Sequence, residues 1–509
     1  MRSTFMGLET NKRGLFTQQS GLYTTGHNIS NANTPGYSRQ RVNMQATAGF
    51  PGVGLNTPTM PGFLGTGVEA GSIQRIRDSF VDHQFRQESN KLGYWESRSK
   101  AISQMEDVLN EPSEYGLQRS LSQFWQSLQD LSVNPENGGA RAVVVERGIA
   151  VADSFKYMHK SLEEIQTNLG TEIGVSVGEV NSILQQIGDL NRQIQEIEPN
   201  GYMPNDLYDA RDVLIDQLAE FLPIEISYVK SGGRALPIAE GSVTIKVKAE
   251  DGTLLTVVSG KDYSQMSANN ANTEGKPVDP NTFLSFAFST VGNATGGPLT
   301  LDNMRDTGKM KSLVNAYGYD DGGTVKGLYP EMLAKLNKMA EVFITEFNTI
   351  HTGGHPLPNE ASVPNFFVGG SASTIEVNQN IINNPGSIAA SDAANEEGNG
   401  QLAKQLADIQ FTAFNGPDEL NGSTIQTYFQ GVIGQLGVDG QQAERIRFNT
   451  ETLKASVEHR RASISSVSLD EEMTDMIKFQ QAYNASARMI TVIDETLEKI
   501  INGMGVVGR

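Results

Sequence analysis

Two rows of apolar residues repeat every seven positions, one at each end of the chain, and they fix what the ends can become. Leu8, Leu15, Leu22 and Ile29 form the first row; Leu469, Met476, Tyr483, Ile490 and Leu497 form the second. An apolar period of about 3.5 residues marks a helix that wraps on a partner helix rather than one lying on a broad core. Phe479, Ile493 and Ile500 join the second row, with Glu472 and Ser486 interrupting its companion seam. On the first helix Phe16 and Tyr23 stand beside the row, while Lys12, Gln19 and Gly26 fall on its second seam. Burial along one side of such a helix does not offset the entropy of ordering it. The spacing therefore predicts ends that fold together with neighbouring subunits.

The first row runs into NISNANTPGYSRQ, residues 28–40. Pro35 cannot continue a helical ladder and biases Thr34 away from helical φ/ψ, so the helix stops here. Asn28, Asn31, Asn33 and Gly36 suit turn conformations, and Pro35 sets the direction in which the chain leaves. We read the segment as an assembly joint. Tyr37 is expected to reach a neighbouring subunit through its hydroxyl, and Arg39 and Arg41 to pair with acidic surfaces such as those carrying Glu471 and Glu472.

These residues carry a resemblance. GHNISNANTPGYSRQRV (26–42) and SLDEEMTDMIKFQQAYNASARMITVIDETLEKIING (468–503) resemble the terminal segments of the flagellar axial (rod and hook) protein family of bacteria. EPSEYGLQRSLSQFWQSLQDLS (111–132), PNDLYDARDVLIDQL (204–218) and ASTIEVNQNII (372–382) are similar to its hook-associated, junction-forming branch. The likeness covers nearly the whole chain outside residues 226–306. It implies a structural subunit of the extracellular flagellum that joins hook to filament, secreted by type III export without a cleaved signal. It also implies the partners: copies of itself in a ring-like axial layer, hook protein, hook-associated protein 3, and an export chaperone at the C-terminal helix. A hook or rod axial protein is the alternative within the family. A hook protein would turn β-rich soon after the Asn-rich segment and a rod protein is usually much shorter.

Composition limits the rest. A net charge of −19 disfavours nucleic acid and anionic membrane surfaces. No apolar run reaches the length of a membrane span, and residues 1–20 lack the apolar core of a Sec signal. The absence of cysteine removes disulfides, thiolate metal sites and thiol nucleophiles. Residues 1–45 reverse the overall sign, with Arg2, Lys12, Arg13, Arg39 and Arg41 against Glu9, and are placed to meet an acidic C-terminal helix.

The periodicity between the ends predicts a mainly α fold with a β-rich insert, on a long helical body built from both halves of the chain. We divide it into an axial helix with its linker (1–60), the first part of the body (61–225), the insert (226–306), the return part of the body (307–465) and a C-terminal axial helix (466–509). Phe50 to Gly71 reads as a Pro-Gly linker. Val180, Ile183, Ile187, Leu190, Ile194 and Ile197 make a narrow helical stripe. Val243, Ile245 and Val247 alternate with polar residues as in a strand. Residues 354–424 read as long surface excursions, and a further helix is expected near 441–461.

Four motifs invite chemistry. Gly174-Val-Ser176-Val-Gly178 imitates a nucleophile elbow, but helical spacing runs straight through it and no strand precedes it. His351 and His355 have a metal-like spacing with no third ligand nearby. The glycines from Gly65 to Gly71 lack the last position of a dinucleotide loop, and Asp320-Asp321-Gly322-Gly323 does not fit a calcium loop. We expect no enzyme activity, cofactor or metal. The rival from another class is a secreted hydrolase or adhesin using the insert, whose Arg234, Lys246, Lys248, Glu250 and Asp251 have no motif spacing.

Overall fold

The computed structural model describes residues 5–50, 65–109, 116–272, 275–357, 363–415 and 420–503. Helix α1 (Phe5–Ser30) leads through the Asn-rich segment to an antiparallel hairpin of β1 (Gln40–Ala46) and β2 (Val68–Arg75). The body follows as α2 (Ser79–Leu109), α3 (Leu117–Val133), α4 (Gly138–Ile197) and α5 (Asn205–Phe221). At 1.5 Å per residue, the 60 residues of α4 extend about 90 Å and form the spine. The Asn137 side chain caps it by accepting from the Gly139 and Ala140 amides. Pro199 and Gly201, the latter at φ 88°, end it.

The predicted stripe on α4 faces inward: Val180, Ile183, Ile187 and Ile194 are buried, Leu190 and Ile197 half-buried, and Gln185, Gln186, Gln193 and Gln195 exposed. Glycines within a helix cost about 1 kcal/mol each relative to alanine. Here they admit neighbours. A Cβ on Gly170 would lie 2.9 Å from the Tyr317 ring, one on Gly174 3.0 Å from Lys276, and one on Gly188 2.9 Å from Tyr263.

The insert holds a four-stranded antiparallel sheet, β3 (Ile224–Val229), β4 (Ser242–Lys248), β5 (Leu254–Ser259) and β6 (Asp262–Tyr263). A three-stranded sheet of β7 (Met266–Ala268), β8 (Ser285–Phe288) and β9 (Gly297–Thr300) follows. Val243, Ile245 and Val247 are fully buried, as their alternation requires. Two asparagines of α4 clamp the insert to the spine through backbone groups. Asn191 donates to Val243 O (3.0 Å) and Gly260 O (2.8 Å) and accepts from Val243 N (3.0 Å). Asn181 donates to Met266 O (2.9 Å) and accepts from Met266 N (2.6 Å).

The chain returns through α6 (Lys309–Tyr317), α7 (Leu328–Thr352), α8 (Gln379–Asn383), α9 (Gln401–Asp408), α10 (Ile425–Ser465) and α11 (Leu469–Gly503). Helix α10 lies along α2, and α11 lies along α1.

Three expectations are corrected. The helix expected near 441–461 begins at Ile425, because Phe429, Leu436, Ala443 and Thr450 continue a buried seven-residue row. Residues 354–424 are not mere surface excursions, for Phe366 and Phe367 complete an aromatic core with Phe124, Trp125, Phe155, Phe343 and Phe347. Ring centroids there approach to 4.8 Å for Phe366–Phe367 and 4.9 Å for Phe343–Phe367. The supposed linker 50–71 is strand from Val68 onward, its glycine-rich end pairing with β1, while its part at 51–64 lies outside the described residues.

Candidate assembly joint

Helices α1 and α11 run antiparallel in a register that the leucine row does not reveal. Four α1 positions seven apart meet four α11 positions seven apart. A Cβ on Gly7 would lie 3.3 Å from Ile493, one on Gly14 3.3 Å from the Ser486 hydroxyl, and one on Gly21 3.0 Å from the Phe479 ring. Asn28 closes the series by donating to Glu472 Oε2 at 3.0 Å. Ser486 and Glu472 are therefore not interruptions: they are the α11 partners of Gly14 and Asn28. Glycine lets the two backbones approach, and supercoiled seven-residue periodicity keeps them facing.

The leucine row of α1 and the main row of α11 flank this contact, while Phe479 and Ile493 make it. Leu8, Leu15, Leu22 and Ile29 are half-buried, as are Met476, Phe479, Tyr483, Ile490 and Ile493; Leu497 is buried. Leu469 and Ile500 are exposed. On the outward faces Phe16, Tyr23, Met473, Ile477, Met489 and Val492 are exposed as well.

At the base of the pair, Asn28 uses its full hydrogen-bonding capacity. Its amide donates to Gln40 O (2.8 Å) as well as Glu472, and its oxygen accepts from Gln40 N (3.0 Å) and the Tyr37 hydroxyl (2.7 Å). The Tyr37 oxygen in turn lies 2.9 Å from His27 Nδ1. Burial, with the charges of Asp206, Asp209 and Glu472, raises the Tyr37 pKa well above the usual phenol range, so it stays a donor. Its hydroxyl is thus spent inside the chain, contrary to the expectation that it reaches a neighbour. Asn31 donates to His27 O, and Thr34 to Asn31 Oδ1. Asn33, Pro35 and Gly36 are exposed. Gly36 has φ 78°, and a Cβ there would fall 2.1 Å from Val213 of α5, so the tight turn rests on the body itself.

Arg39 meets the acidic start of α11 as expected, within one chain: Glu471 Oε2 at 2.5 Å, Glu472 Oε1 at 2.6 Å and Asp475 at 3.8 Å. Its amide donates to Ser465 O at the end of α10 (2.9 Å). Arg41 is exposed on β1.

Ser38 anchors the segment to α5. Its amide and hydroxyl donate to the two Asp209 oxygens at 3.0 and 2.7 Å. Behind it lies a buried charge network that sequence reading missed. Asp212 takes Arg75 (2.9 Å), Arg77 (2.8 Å) and Arg86 (3.4 Å). Arg75 also reaches Asp209 (2.7 Å) and Glu240 (2.5 Å), Arg77 reaches Asp82 (2.8 Å), and Asp216 binds Arg86 (2.7 Å) and Arg461 (2.5 Å). Burial pushes the Asp212 carboxyl up, but the charges of Arg77, Arg75 and Arg86 outweigh it and hold it well below the usual range. For Asp209 burial prevails and raises it. The signal was present in part: Asp209, Asp212 and Asp216 stand three and four residues apart on one face of a predicted helix. Their arginine partners come from three other segments, the end of the β1–β2 hairpin, α2 and α10, and share no local pattern.

The chemical motifs resolve into packing. Ser176 is buried within α4, with Gly170 and Gly174 facing neighbours. His351 is fully buried and its Nε2 accepts from Ala389 N at 3.0 Å, so that lone pair is occupied. His355 joins Ser391 through a backbone bridge. Gly323 N donates to Asp320 in a simple turn. Among the described residues no group of three or more His, Cys, Asp or Glu is placed to hold a metal ion, and no helix is long and apolar enough to cross a membrane.

Comparison with known proteins agrees with this architecture. Residues 102–367 match the model of the flagellar hook-associated protein FlgK helical domain, and residues 461–503 that of the flagellar basal body rod FlgEFG protein C-terminal region. The chain is 43% identical to flagellar hook-associated protein 1 of Bacillus subtilis over the full length of both. It is 28% identical to the Salmonella typhimurium protein of that name, over 70% of this chain and 58% of that one. With the Escherichia coli protein it shares 23% identity over 96% and 98%. Among solved structures, the flagellar hook junction protein FlgK from Burkholderia pseudomallei superposes with a TM-score of 0.58 at 11% identity, over 75% of this chain and all of that one.

Proposed function

Because the chain belongs to the flagellar hook-associated protein 1 family, we propose that it is a structural subunit of the bacterial flagellum joining the hook to the filament by non-covalent helix packing. The observation that supports this most directly is the α1–α11 pair. Its inner seam is filled within the chain by Gly7, Gly14, Gly21 and Asn28 against Ile493, Ser486, Phe479 and Glu472. Its outer faces still expose Phe16, Tyr23, Met473 and Ile477 to solvent. Apolar faces on a surface helix pair are an assembly surface in need of partners. In this reading copies of the chain pack them side by side in an axial layer, with hook protein on one side and hook-associated protein 3 on the other. The joint fixes the angle at which the pair leaves the body, and no catalytic step is involved. A strain lacking the protein should keep its hooks and shed filament subunits into the medium; filaments of normal length on the mutant would refute the assignment.

Export follows from the same surface. An amphipathic terminal helix must be covered before secretion, and a cytosolic chaperone laid on α11 would do this. Met476→Glu with Ile490→Glu places charges on the half-buried row. It should weaken chaperone binding and filament attachment together, and undiminished binding by calorimetry would put the chaperone elsewhere.

A further inference from the structure

Away from the joint, a cavity of about 300 Å³ lies between α2, α6, α7 and α10. Its two sides differ in chemistry. The α2 and α6 side presents donors. Arg98 donates to the Tyr94 hydroxyl oxygen at 3.2 Å, and Asn315 Nδ2 lies 3.3 Å from the same oxygen. With that oxygen accepting twice, the Tyr94 proton has no acceptor among the described residues. Arg98 is half-buried, its guanidinium stands 5.8 Å from the Trp95 ring centroid, and among the described residues it has no carboxylate within 4.0 Å, in a chain whose net charge is −19. Lys326, also lining the cavity, is already held by Asp321. The α7 and α10 side instead carries two carboxylates, Glu331 and Asp439.

A guanidinium without a carboxylate partner beside a hydroxyl with unused donor capacity is a receptor for a carboxylate. Two acids on the facing elements disfavour a multiply charged anion and favour a ligand with a cationic end. We propose that this cavity binds a small zwitterion of the amino-acid type. The ligand carboxylate accepts from Arg98 and Tyr94, and its ammonium group faces Glu331 and Asp439. The cavity volume accommodates a ligand of this size with room for water. Such a ligand bridges α2 of the outgoing half to α6, α7 and α10 of the returning half, so binding stabilises the body along α10, the helix that leads into α11.

The test uses the full-length chain, with glycine, acetate and methylammonium titrated separately by calorimetry and by thermal shift. Glycine should bind saturably and raise the melting temperature, with acetate and methylammonium at least about tenfold weaker. Arg98→Gln should weaken glycine binding by about tenfold or more through loss of a charge-assisted bond. Glu331→Gln, at an exposed position on α7, should weaken glycine but leave acetate unchanged. Absence of saturable glycine binding, acetate binding equal to glycine, or glycine binding unaffected by both substitutions would each overturn the proposal.

Discussion

Gly36 shows how one backbone position carries the joint. At φ 78° a side chain is strained by about 1–2 kcal/mol, and its Cβ would also meet Val213 at 2.1 Å. Gly36→Ala should therefore lower the melting temperature and loosen the Ser38–Asp209 anchor. Adding Val213→Ala removes the collision but not the φ strain, so the double variant should recover in part. Full recovery would assign the whole cost to packing. His351 carries a different kind of information. Burial pushes its pKa down to about 4 from 6.5, so the unfolded chain takes up a proton below about 6.5 and the folded chain only below about 4. Stability from this residue is complete above 6.5, falls as the pH drops from there to about 4, and is level below. The difference is about 3 kcal/mol. His351→Gln keeps an acceptor for Ala389 N and should flatten that slope in denaturant titrations at successive pH values, even if it costs stability throughout. An unchanged slope would mean that folding does not lower the His351 pKa.

At the scale of elements, the α1–α11 pair depends on small residues facing larger ones. Leucines at every seventh position were legible as a coiled-coil signal, yet the closest contacts are made by the glycine row one residue earlier. Both rows have the same period, and periodicity alone does not say which of two adjacent stripes points at the partner. Gly21→Val would drive a branched side chain into the Phe479 ring, 3.0 Å from the Cβ position. It should separate the helices, shown by faster amide exchange in both and by lost filament attachment, with the body unaffected. Phe479→Ala in the same chain makes room and should restore part of the protection. If Gly21→Val leaves exchange unchanged, the register described here is wrong. The opposite lesson comes from α4, where glycines that cost helix propensity remain because Tyr317 and Tyr263 pack against them.

For the molecule as a whole, the buried charge network decides whether the terminal pair is tethered or fixed. Arg75 and Arg77 follow from the β1–β2 hairpin, Arg86 comes from α2, Asp209, Asp212 and Asp216 from α5, and Arg461 from α10. Removing one partner of a buried ion pair costs about 3–5 kcal/mol, because the remaining charges stay desolvated. Asp212→Asn should thus unlatch the hairpin. Limited proteolysis of the wild type should trim α1 and α11 but leave residues 37–46 with the body, while in the variant those residues should be lost too. The depressed Asp212 carboxyl supplies stability above the ordinary carboxylate range. That stability begins to decline in the ordinary carboxylate range, where the unfolded chain takes up the proton, and is fully lost only below the low folded value, so acid of about pH 5 should not mimic the substitution.

The sequence by itself determined the helical ends, the α4 stripe, the strand alternation of the insert and the break at Pro35, because each is set by local periodicity or by the geometry of one residue. Arg39 meeting Glu471 and Glu472 was also readable, since complementary charge needed only the two ends to be adjacent. Tertiary structure alone decided the rest. Ser38 finds Asp209 and Arg461 finds Asp216 across separations of 171 and 245 residues. Phe366 and Phe367 leave a Gly- and Asn-rich stretch to fill the space between α3 and α7. Tyr37 turns inward to Asn28 rather than outward, because a hydroxyl that loses water at a crowded joint must find its partner there. Such pairings depend on which surfaces the packed helices bring together, and that is a property of the whole chain.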